Sequence, residues 1–402
     1  MSDNPTIELP DVEVTAPRLL SDDPDEVSIR VKGVDFKGWE SVTITRSCEA
    51  IPNAFSLTAS SEYLQGEALT GTRPEQECEI YIGNDIVITG WIDRRSISID
   101  ANNDRVTISG RGKTRNLVDC STAFWVDPDL QGGQLRATDM VDLATQVSKY
   151  YKVAVRAAVE GDRGPPIVAI QVSLNETPYQ IIESCARYTA FLVYEDAKGM
   201  LVLDRVGKVP MASGFNMPGN IEVINAERST DGRYSEYYVV WNPVNNYIQV
   251  NEKANQRAYA KDDEIKAIEN RLKVMAMSAV VPADVMPDFG QRMADWERNR
   301  RYGRSQAAMI TCDSWRDEKG ELWQPNRLAR IEAPRADIVG ADWIIGTVTY
   351  RKDLSGTHTD LVLMPPLAFS PEPSPLNLFP QQLAHPQDGS ANPITGNTTA
   401  PP

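Results

Sequence analysis

The sequence predicts a mainly β protein with an α/β insert, that is, an α+β chain of several domains. From residue 27 onward, short apolar runs alternate with polar residues at a period of two, the pattern of strands with one buried face. Two helical stripes interrupt this pattern between residues 121 and 217. The 402 residues also exceed the length that one hydrophobic core usually serves.

Residues 27–120 form the first predicted domain. Gly-Asn-Asp at residues 83–85 and Asn-Asn-Asp at residues 102–104 are typical of tight turns between strands. Several short strands with brief turns favour a small antiparallel β-barrel or a sandwich. The strand candidates are residues 41–46, 55–59, 77–82, 85–93, 96–100 and 105–110.

An α/β domain is predicted for residues 121–217. Apolar residues recur at helical spacing in residues 137–150, for which Thr138 is the expected N-cap. A second helix is expected over residues 177–190, where Pro178 suits the first helical position. The strand candidates of this domain are residues 191–194 and 200–206.

Strand patterns return in residues 218–365, together with a helix predicted at about residues 283–304. Residues 88–92 and 345–349 are both strand-like runs that contain a glycine and precede basic residues and another strand. This weak repeat suggests that a second barrel copies the first. The strand candidates here are residues 234–241, 247–250, 307–312, 327–331, 343–350 and 360–364.

Both ends of the chain have a different composition. Residues 1–26 carry eight acidic side chains and one arginine, which predicts a solvated N-terminal extension. Residues 366–402 are rich in proline and have no apolar period, which predicts an extended or disordered C-terminal arm. The net charge of −15 argues against a protein that grips nucleic acid, because such binding depends on cationic contacts with phosphates.

The segment SGRGKT at residues 109–114 resembles the end of a phosphate-binding loop and follows a strand. The complete motif needs a glycine where this chain has Thr107. The residues after Thr114 do not begin a long apolar helix whose N-terminus could hold a phosphate. We therefore expect a strand end and a tight turn, without nucleotide.

Catalytic chemistry has little support in the sequence. The two histidines, His358 and His385, have no recognisable serine or cysteine partner, and no HExxH motif occurs. A glycosidase would need two carboxylates that meet in space, and spacing alone does not identify them. No catalytic, cofactor-binding or metal-binding residue is therefore assigned. The five cysteines, expected to be buried free thiols, are Cys48, Cys78, Cys120, Cys185 and Cys312.

Two further features could serve binding. The arginines of residues 298–304 could contact DNA, but residues 284–304 hold five arginines against four acidic residues, which favours a solvated helix with internal ion pairs or a subunit contact. Trp315, Trp323 and Trp343 could form a sugar-binding platform, but barrel core or interface anchors are the commoner role.

Five short blocks, taken in order, resemble one family: the baseplate hub protein of Mu-like contractile-tailed bacteriophages. The resemblance extends from about residue 27 to residue 365, and it rests on the shared order and spacing of the blocks. The blocks are GWESVTITRSCE at residues 38–49, GWID at 90–93, SGRGKT to LVDC at 109–120, YSEY at 234–237 and DSW to GELWQPN at 313–326.

The resemblance implies two related small antiparallel β-barrels per chain, separated by α/β material. Three chains would then form a ring of approximate six-fold symmetry, which adapts a six-fold tail tube to a three-fold central spike. Its channel would let DNA pass in transit only, and we expect an inner wall that is neutral to acidic. The family is structural, so no catalytic residues or cofactors carry over.

The implied partners are the chain itself as a homotrimer, the central spike protein, tail tube or distal tube proteins and other baseplate proteins. A tape measure protein is a further candidate. The implied location is the baseplate of the virion, after assembly in the host cytoplasm and without stable membrane insertion. The two terminal arms have no counterpart in the family, and we expect them to become ordered only on neighbouring subunits.

Two other functions stay open at this point. One is a peptidoglycan-cleaving tail enzyme, against which the lack of a lysozyme-like or peptidase motif counts. The other is a glycan-binding adhesin that would use the tryptophans. Trp39 and Trp91, however, lie in or beside predicted strands rather than in loops.

Overall fold

One sheet of thirteen strands runs through most of the chain in the computed structural model. The structure describes residues 21–60, 71–100, 104–123, 126–127, 130, 134–167, 170–173, 175–241, 256–265, 270–277 and 286–373. The predicted N-terminal extension up to residue 20, the C-terminal arm from residue 374 and the strand predicted at residues 247–250 lie outside these residues.

Seven antiparallel strands from the N-terminal part of the chain form one part of this sheet, which we call the first half. They are β1 (Val27–Val31), β2 (Val34–Phe36), β3 (Ser41–Ser47), β4 (Ala54–Ser60), β5 (Glu77–Ile82), β6 (Asp85–Ile99) and β7 (Asp104–Gly112). The second half contributes β13 (Phe215–Asn216), β14 (Ile221–Arg228), β18 (Gln306–Cys312), β19 (Leu328–Ala333), β20 (Ile338–Asp353) and β21 (Gly356–Met364).

Smaller elements lie between and after these strands. The α/β segment contains α1 (Arg115–Asp119), β8 (Gln134–Leu135), α2 (Met140–Ser148), β9 (Val155–Ala157), β10 (Ile170–Gln171), α3 (Pro178–Thr189), β11 (Leu192–Glu195) and β12 (Leu201–Asp204). A separate sheet and a long helix follow, namely β15 (Glu236–Trp241), β16 (Gln256–Lys261), β17 (Leu272–Met277) and α4 (Met286–Arg304). Short 3-10 helices span Lys149–Tyr151, Pro334–Ala336 and Pro366–Phe369.

Buried and exposed side chains alternate along strands of the large sheet, as the sequence predicts, and the buried ones form the core. On β3, Val42 and Ile44 are fully buried while Thr43 between them is exposed. One continuous cluster of buried side chains contains residues of both halves, from Val27 to Leu363. The fold is therefore mainly β with an α/β segment, as the sequence predicts.

The α/β segment has a core of its own, into which α2 and α3 turn their apolar faces. Helix α3 confirms the prediction: Thr177 is its N-cap in a reciprocal capping box with Gln180, and Pro178 follows. Helix α2 corrects it, because the cap is Asp139, not Thr138. The Asp139 side chain accepts the Asp142 N–H at 3.0 Å, whereas the Thr138 hydroxyl donates to the Asp139 carboxylate.

Helix α4 covers one face of the sheet β16-β15-β17. Tyr237 and Val239 of β15 pack against Ala294 of the helix. A buried ion pair closes this unit, with Arg233 donating two hydrogen bonds of 2.8 and 3.0 Å to one carboxylate oxygen of Asp262. The pair is satisfied by these hydrogen bonds, as buried charges must be.

The structure extends some predicted elements and adds others. The strands predicted at residues 85–93 and 96–100 are one strand, β6, which continues through a bulge. Strand β14 is not among the predicted strands, because only Ile221 of its eight residues is buried and a bulge separates it from the partly buried Ile224 and Ala226. An edge strand that is interrupted in this way gives only a short periodic signal.

The folded chain continues past residue 365, where the predicted C-terminal arm begins. Phe369 and Ala368 are buried against Ile344 and Met364. Helix α4 also holds this segment, since the Trp296 indole N–H donates to the Ser370 carbonyl at 2.8 Å. The start of the arm therefore belongs to the folded part of the chain.

Gly303 of α4 allows this contact, because a Cβ there would lie 2.3 Å from the backbone nitrogen of Ala368. We predict that Gly303→Ala lowers the Tm, although alanine is the better helix former by about 1 kcal/mol. Asn299→Ala, one turn earlier on α4, is the control and should change the Tm little. Thermal unfolding measures both, and an unchanged or higher Tm for Gly303→Ala would contradict the contact.

Candidate assembly edges

The two halves of the large sheet repeat one arrangement. The first half has the strand order β3-β4-β7-β6-β5, and the second half has the order β14-β18-β21-β20-β19. The longest strand occupies the same place in both, β6 with 15 residues and β20 with 16. Five strands of each half thus have a counterpart in the other, whereas β1, β2 and β13 have none.

Matching bulges establish which residues correspond. The pairing of β6 with β7 shifts after Ile92, and the pairing of β20 with β21 shifts after Ile345. The repeat that the sequence suggests around Gly90 and Gly346 therefore lies on two equivalent strands, β6 and β20. The residue that corresponds to Gly346, however, is Asp93, because both follow the matching isoleucines at the bulge.

A second landmark agrees with this correspondence. Glu75 and Asn326 both adopt left-handed backbone conformations, with φ of 68° and 59°. Their backbone N–H groups donate to the carbonyls of Ile92 and Ile345, in each case at 2.8 Å. Two rare conformations with the same hydrogen bond indicate a duplicated unit.

The halves are joined within the chain by antiparallel pairing of β3 with β20. Residues 42–47 pair with residues 347–352. The hydroxyl oxygens of Thr45 and Thr349 lie 3.1 Å apart across this joint, and Ile44 and Tyr350 are fully buried in it. We call this pairing the β3–β20 joint.

The β3–β20 joint uses one long strand and one edge strand, and the counterparts of these two strands, β6 and β14, each have a stretch of edge without a partner among the described strands. On the side of β6 opposite β7, no strand of the described chain pairs with residues 96–99, which we call the open β6 end. Strand β14 pairs only with β18 among the described strands, and its other side is the β14 edge. Ile97 and Ile99 of the open β6 end are 45% and 71% exposed.

The phosphate-loop-like segment is occupied by a carboxylate of the chain itself. One Glu195 oxygen accepts the Thr114 N–H at 3.0 Å, and the other accepts the Asn53 N–H at 2.8 Å. Gly112 is required here because a Cβ would lie 1.9 Å from the carboxylate. The helix that follows, α1, has five residues. The segment ties the first half to the α/β segment, as a structural turn.

One serine–histidine–carboxylate contact exists that the sequence did not reveal. The Ser355 hydroxyl lies 3.3 Å from Nε2 of His358, whose Nδ1 lies 2.8 Å from Glu222. The hydroxyl hydrogen is donated to Asp353, so it is not held for removal by the histidine. The group therefore fastens the β20–β21 hairpin to β14. Glu222 is 136 residues from His358, so sequence spacing could not connect them.

The other residues that the sequence singles out lie in the core or take part in ion pairs. Trp315, Trp323 and Trp343 are at most 6% exposed, which leaves them no face for a sugar. The arginines of α4 form the predicted ion pairs, Arg298 with Asp295 and Arg301 with Glu297. All five cysteines are free and four are buried. Within the described ranges, no three histidine, cysteine, aspartate or glutamate side chains are placed to hold a metal ion.

Three family models match the chain in succession. They are "Mu phage baseplate assembly protein GpP-like, N-terminal" at residues 26–112, "Baseplate hub protein gp44-like, second domain" at residues 114–205 and "Mu phage baseplate assembly protein GpP, fourth domain" at residues 287–372. The baseplate hub protein gp44 of Escherichia phage Mu is 27% identical over 350 residues, which cover 84% of this chain and 87% of that protein.

The chain belongs to the Mu-type baseplate hub family.

Solved structures of tail proteins share the fold of this hub chain. The 43 kDa tail protein of prophage MuSo2 from Shewanella oneidensis is 26% identical, with a TM-score of 0.73 over 86% of this chain and 99% of that one. A tail protein from Neisseria meningitidis MC58 is 20% identical, with a TM-score of 0.68 over 87% and 99%. As a baseplate hub protein of the Mu-like type, the chain is a component of the virion tail.

None of the hub chain's helices, among the residues that the structure describes, is long and apolar enough to span a bilayer. Helix α4 illustrates this, because it is the longest and carries charged residues along its length.

Burial raises the pKa of Glu195 from 4.5 to about 7. Between these values the folded protein keeps a proton that the unfolded chain has released, so this group's contribution to stability falls as pH rises. We predict that from pH 4.5 to 7.5 the wild type loses on the order of 3 kcal/mol more stability than Glu195→Gln. Urea unfolding at several pH values measures this, and equal pH slopes would contradict it.

Proposed function

We propose that three copies of this chain close a ring that is the hub of a contractile tail baseplate. The ring adapts the six-fold tail tube to the three-fold central spike and leaves a channel for DNA ejection. The duplicated half is the observation that carries this proposal. Three chains with two halves each supply six equivalent units, which suits contact with a six-fold tube on one side and a three-fold spike on the other.

The β3–β20 joint supports a closed ring. It is a head-to-tail contact, since β3 and β20 occupy different places in their halves. A head-to-tail contact that repeats makes a closed ring when its rotation fits, and otherwise an open filament. Among the described strands, the open β6 end and the β14 edge have no partner, and a repeating head-to-tail contact needs one unused edge of each of these two types.

The proposed domains keep the bounds that the sequence predicts: barrels at residues 27–120 and 218–365, an α/β domain at 121–217, and terminal extensions at 1–26 and 366–402. The second extension begins with the folded residues 366–373. The partners proposed beyond the chain itself are the spike, tube and other baseplate proteins, with tape measure protein as a further candidate. Assembly takes place in the host cytoplasm.

A structural role without catalysis is part of the proposal. The serine–histidine contact at Ser355 fastens a hairpin, and the segment at residues 109–114 is filled by Glu195. The acidic net charge suits a channel with a neutral to acidic wall, because each cationic contact with a phosphate would add affinity for the passing DNA.

We predict that the purified chain, or the hub released from purified tails, has a mass of about 134 kDa, three times the 44.6 kDa of one chain. Native mass spectrometry or mass photometry measures it. A dimer, or a monomer both in solution and in released hubs, would contradict the ring.

Incubation with cell-wall material in a zymogram should leave no cleared band, and a cleared band would favour the peptidoglycan-cleaving alternative.

A further inference from the structure

A polar cavity lies where the first half, the α/β segment and the second half of the chain meet. It is lined by Arg46 of β3 and Asp85 of β6, by Arg156 and Lys198 of the α/β segment, and by residues of the stretch 320–327. We call it the junction cavity. Its volume is about 750 Å³, and ligand sites in proteins usually measure roughly 300–1,000 Å³. The cavity is therefore large enough to hold a ligand or a short peptide segment.

The junction cavity carries more positive charge than its own carboxylates neutralise. Arg156 is paired with Asp196 at 3.0 Å, and Asp85 is paired with Arg316 at 2.6 Å. Glu321 is then the one lining carboxylate without an ion pair among the described residues. Three cations of the lining also have no ion pair within the described part of the chain, namely Arg46, Lys198 and Arg327. In a chain with a net charge of −15, this local excess of cations favours an anionic occupant.

Arg46 supports the same conclusion independently. Its Nε–H is buried and has no hydrogen-bond acceptor among the described residues. A buried donor without an acceptor costs free energy, so it is usually satisfied by another group. The Arg46 side chain does hydrogen-bond the Tyr350 hydroxyl, but that group is neutral and leaves the charge uncompensated. Carboxylate oxygens are the acceptors that a guanidinium binds most strongly in proteins.

The first described residue lies next to this cavity. The Ser21 N–H donates to the Asn84 side-chain oxygen at 2.9 Å, and the Asn84 amide donates to the Ser21 carbonyl at 3.1 Å. Asp85, the next residue after Asn84, lines the cavity. Residues 1–20 are therefore joined to the described part of the chain at the rim of the junction cavity.

Residues 1–20 have the complementary composition. They hold four acidic side chains and one arginine, a net charge of −3. Three of these carboxylates belong to the stretch ELPDVEV at residues 8–14, where they are interspersed with leucine and valine. The cavity likewise has apolar lining beside its cations, from Ile86, Met200 and Leu322. Seven residues separate this stretch from Ser21, and they can span up to roughly 25 Å, which suffices for the stretch to turn back into the cavity.

We infer that residues 8–14 bind in the junction cavity of the same chain, where their carboxylates pair with the three free cations. The same chain is the source because a short tether gives the segment an effective concentration on the order of millimolar. This assignment replaces the neighbouring subunit that is expected from the sequence for residues 1–20. Bound there, the segment contacts all three parts of the chain and fixes their relative orientation. The inference does not depend on the proposed ring.

The test cross-links the full chain with a carbodiimide, which joins a carboxylate directly to a lysine amine that is paired with it. Trypsin then releases residues 1–18 as one peptide, because Arg18 is the first basic residue. We expect this peptide to be linked to Lys198 at least about fivefold more than to Lys32, an exposed lysine of the β1–β2 turn. Lys198→Arg keeps the charge and removes the amine, so it should abolish the link. A mixture of isotope-labelled and unlabelled chains shows whether the link lies within one chain.

Trypsin cleavage of the native chain after Arg18 is a second readout. This bond lies between Ser21 and the bound stretch, so docking should protect it. We expect Lys198→Gln with Arg327→Gln to speed this cleavage by about fivefold or more, because cleavage follows the population of the undocked segment. Lys32→Gln with Arg73→Gln is the matched control, since it removes the same charge at two exposed positions.

Equal linkage of Lys198 and Lys32 would overturn the inference, and so would equal cleavage of the two double variants. Links found only between labelled and unlabelled chains would overturn the assignment to the same chain, since the segment would then bind a neighbouring copy. A monomeric mass together with the expected link within one chain would support this inference and contradict the ring, so the two proposals fail separately.

Discussion

The architecture depends on one constraint: the backbone N–H and C=O groups of a strand edge must find partners, or the edge will attract another chain. In this molecule the second half meets that constraint through β3, which pairs with residues 347–352 and buries Ile44 and Tyr350. The first half repeats the design, but no described strand pairs with residues 96–99 on the side of β6 opposite β7. The same constraint thus holds the two halves together and, in the proposed ring, would also join one copy to the next.

The elements outside the sheet stabilise this arrangement. Glu195 joins the α/β segment to the first half through two backbone N–H groups. Helix α4 joins the halves from another side, because Arg304 pairs with Glu49 next to β3 and Arg300 donates to the Ala368 carbonyl at 3.1 Å. These contacts are polar, and their donors and acceptors are paired. They fix the orientation of the units, whose stability comes mainly from their apolar cores.

Much of the fold could be predicted from the sequence, because period-two burial and capping chemistry are local. The strand Glu77–Ile82 and the cap of α3 at Thr177 were found in this way. The missing parts depend on distant partners. A bulge shortens the alternation of β14 to a few residues, and the bulge of β6 makes one strand look like two. The two edges used in the proposed ring have no partner strand among the described residues, so local burial patterns could not reveal them.

Two independent observations support the proposed ring. The family resemblance suggests three copies in a ring, and the sheet topology supplies two matching strand edges. The most direct test is a cryo-EM reconstruction of the hub in assembled tails, at a resolution that separates strands. The account predicts three copies whose sheets continue from the open β6 end of each copy into the β14 edge of the next. A hub in which both edges face solvent, or in which the copy number is not three, would contradict it.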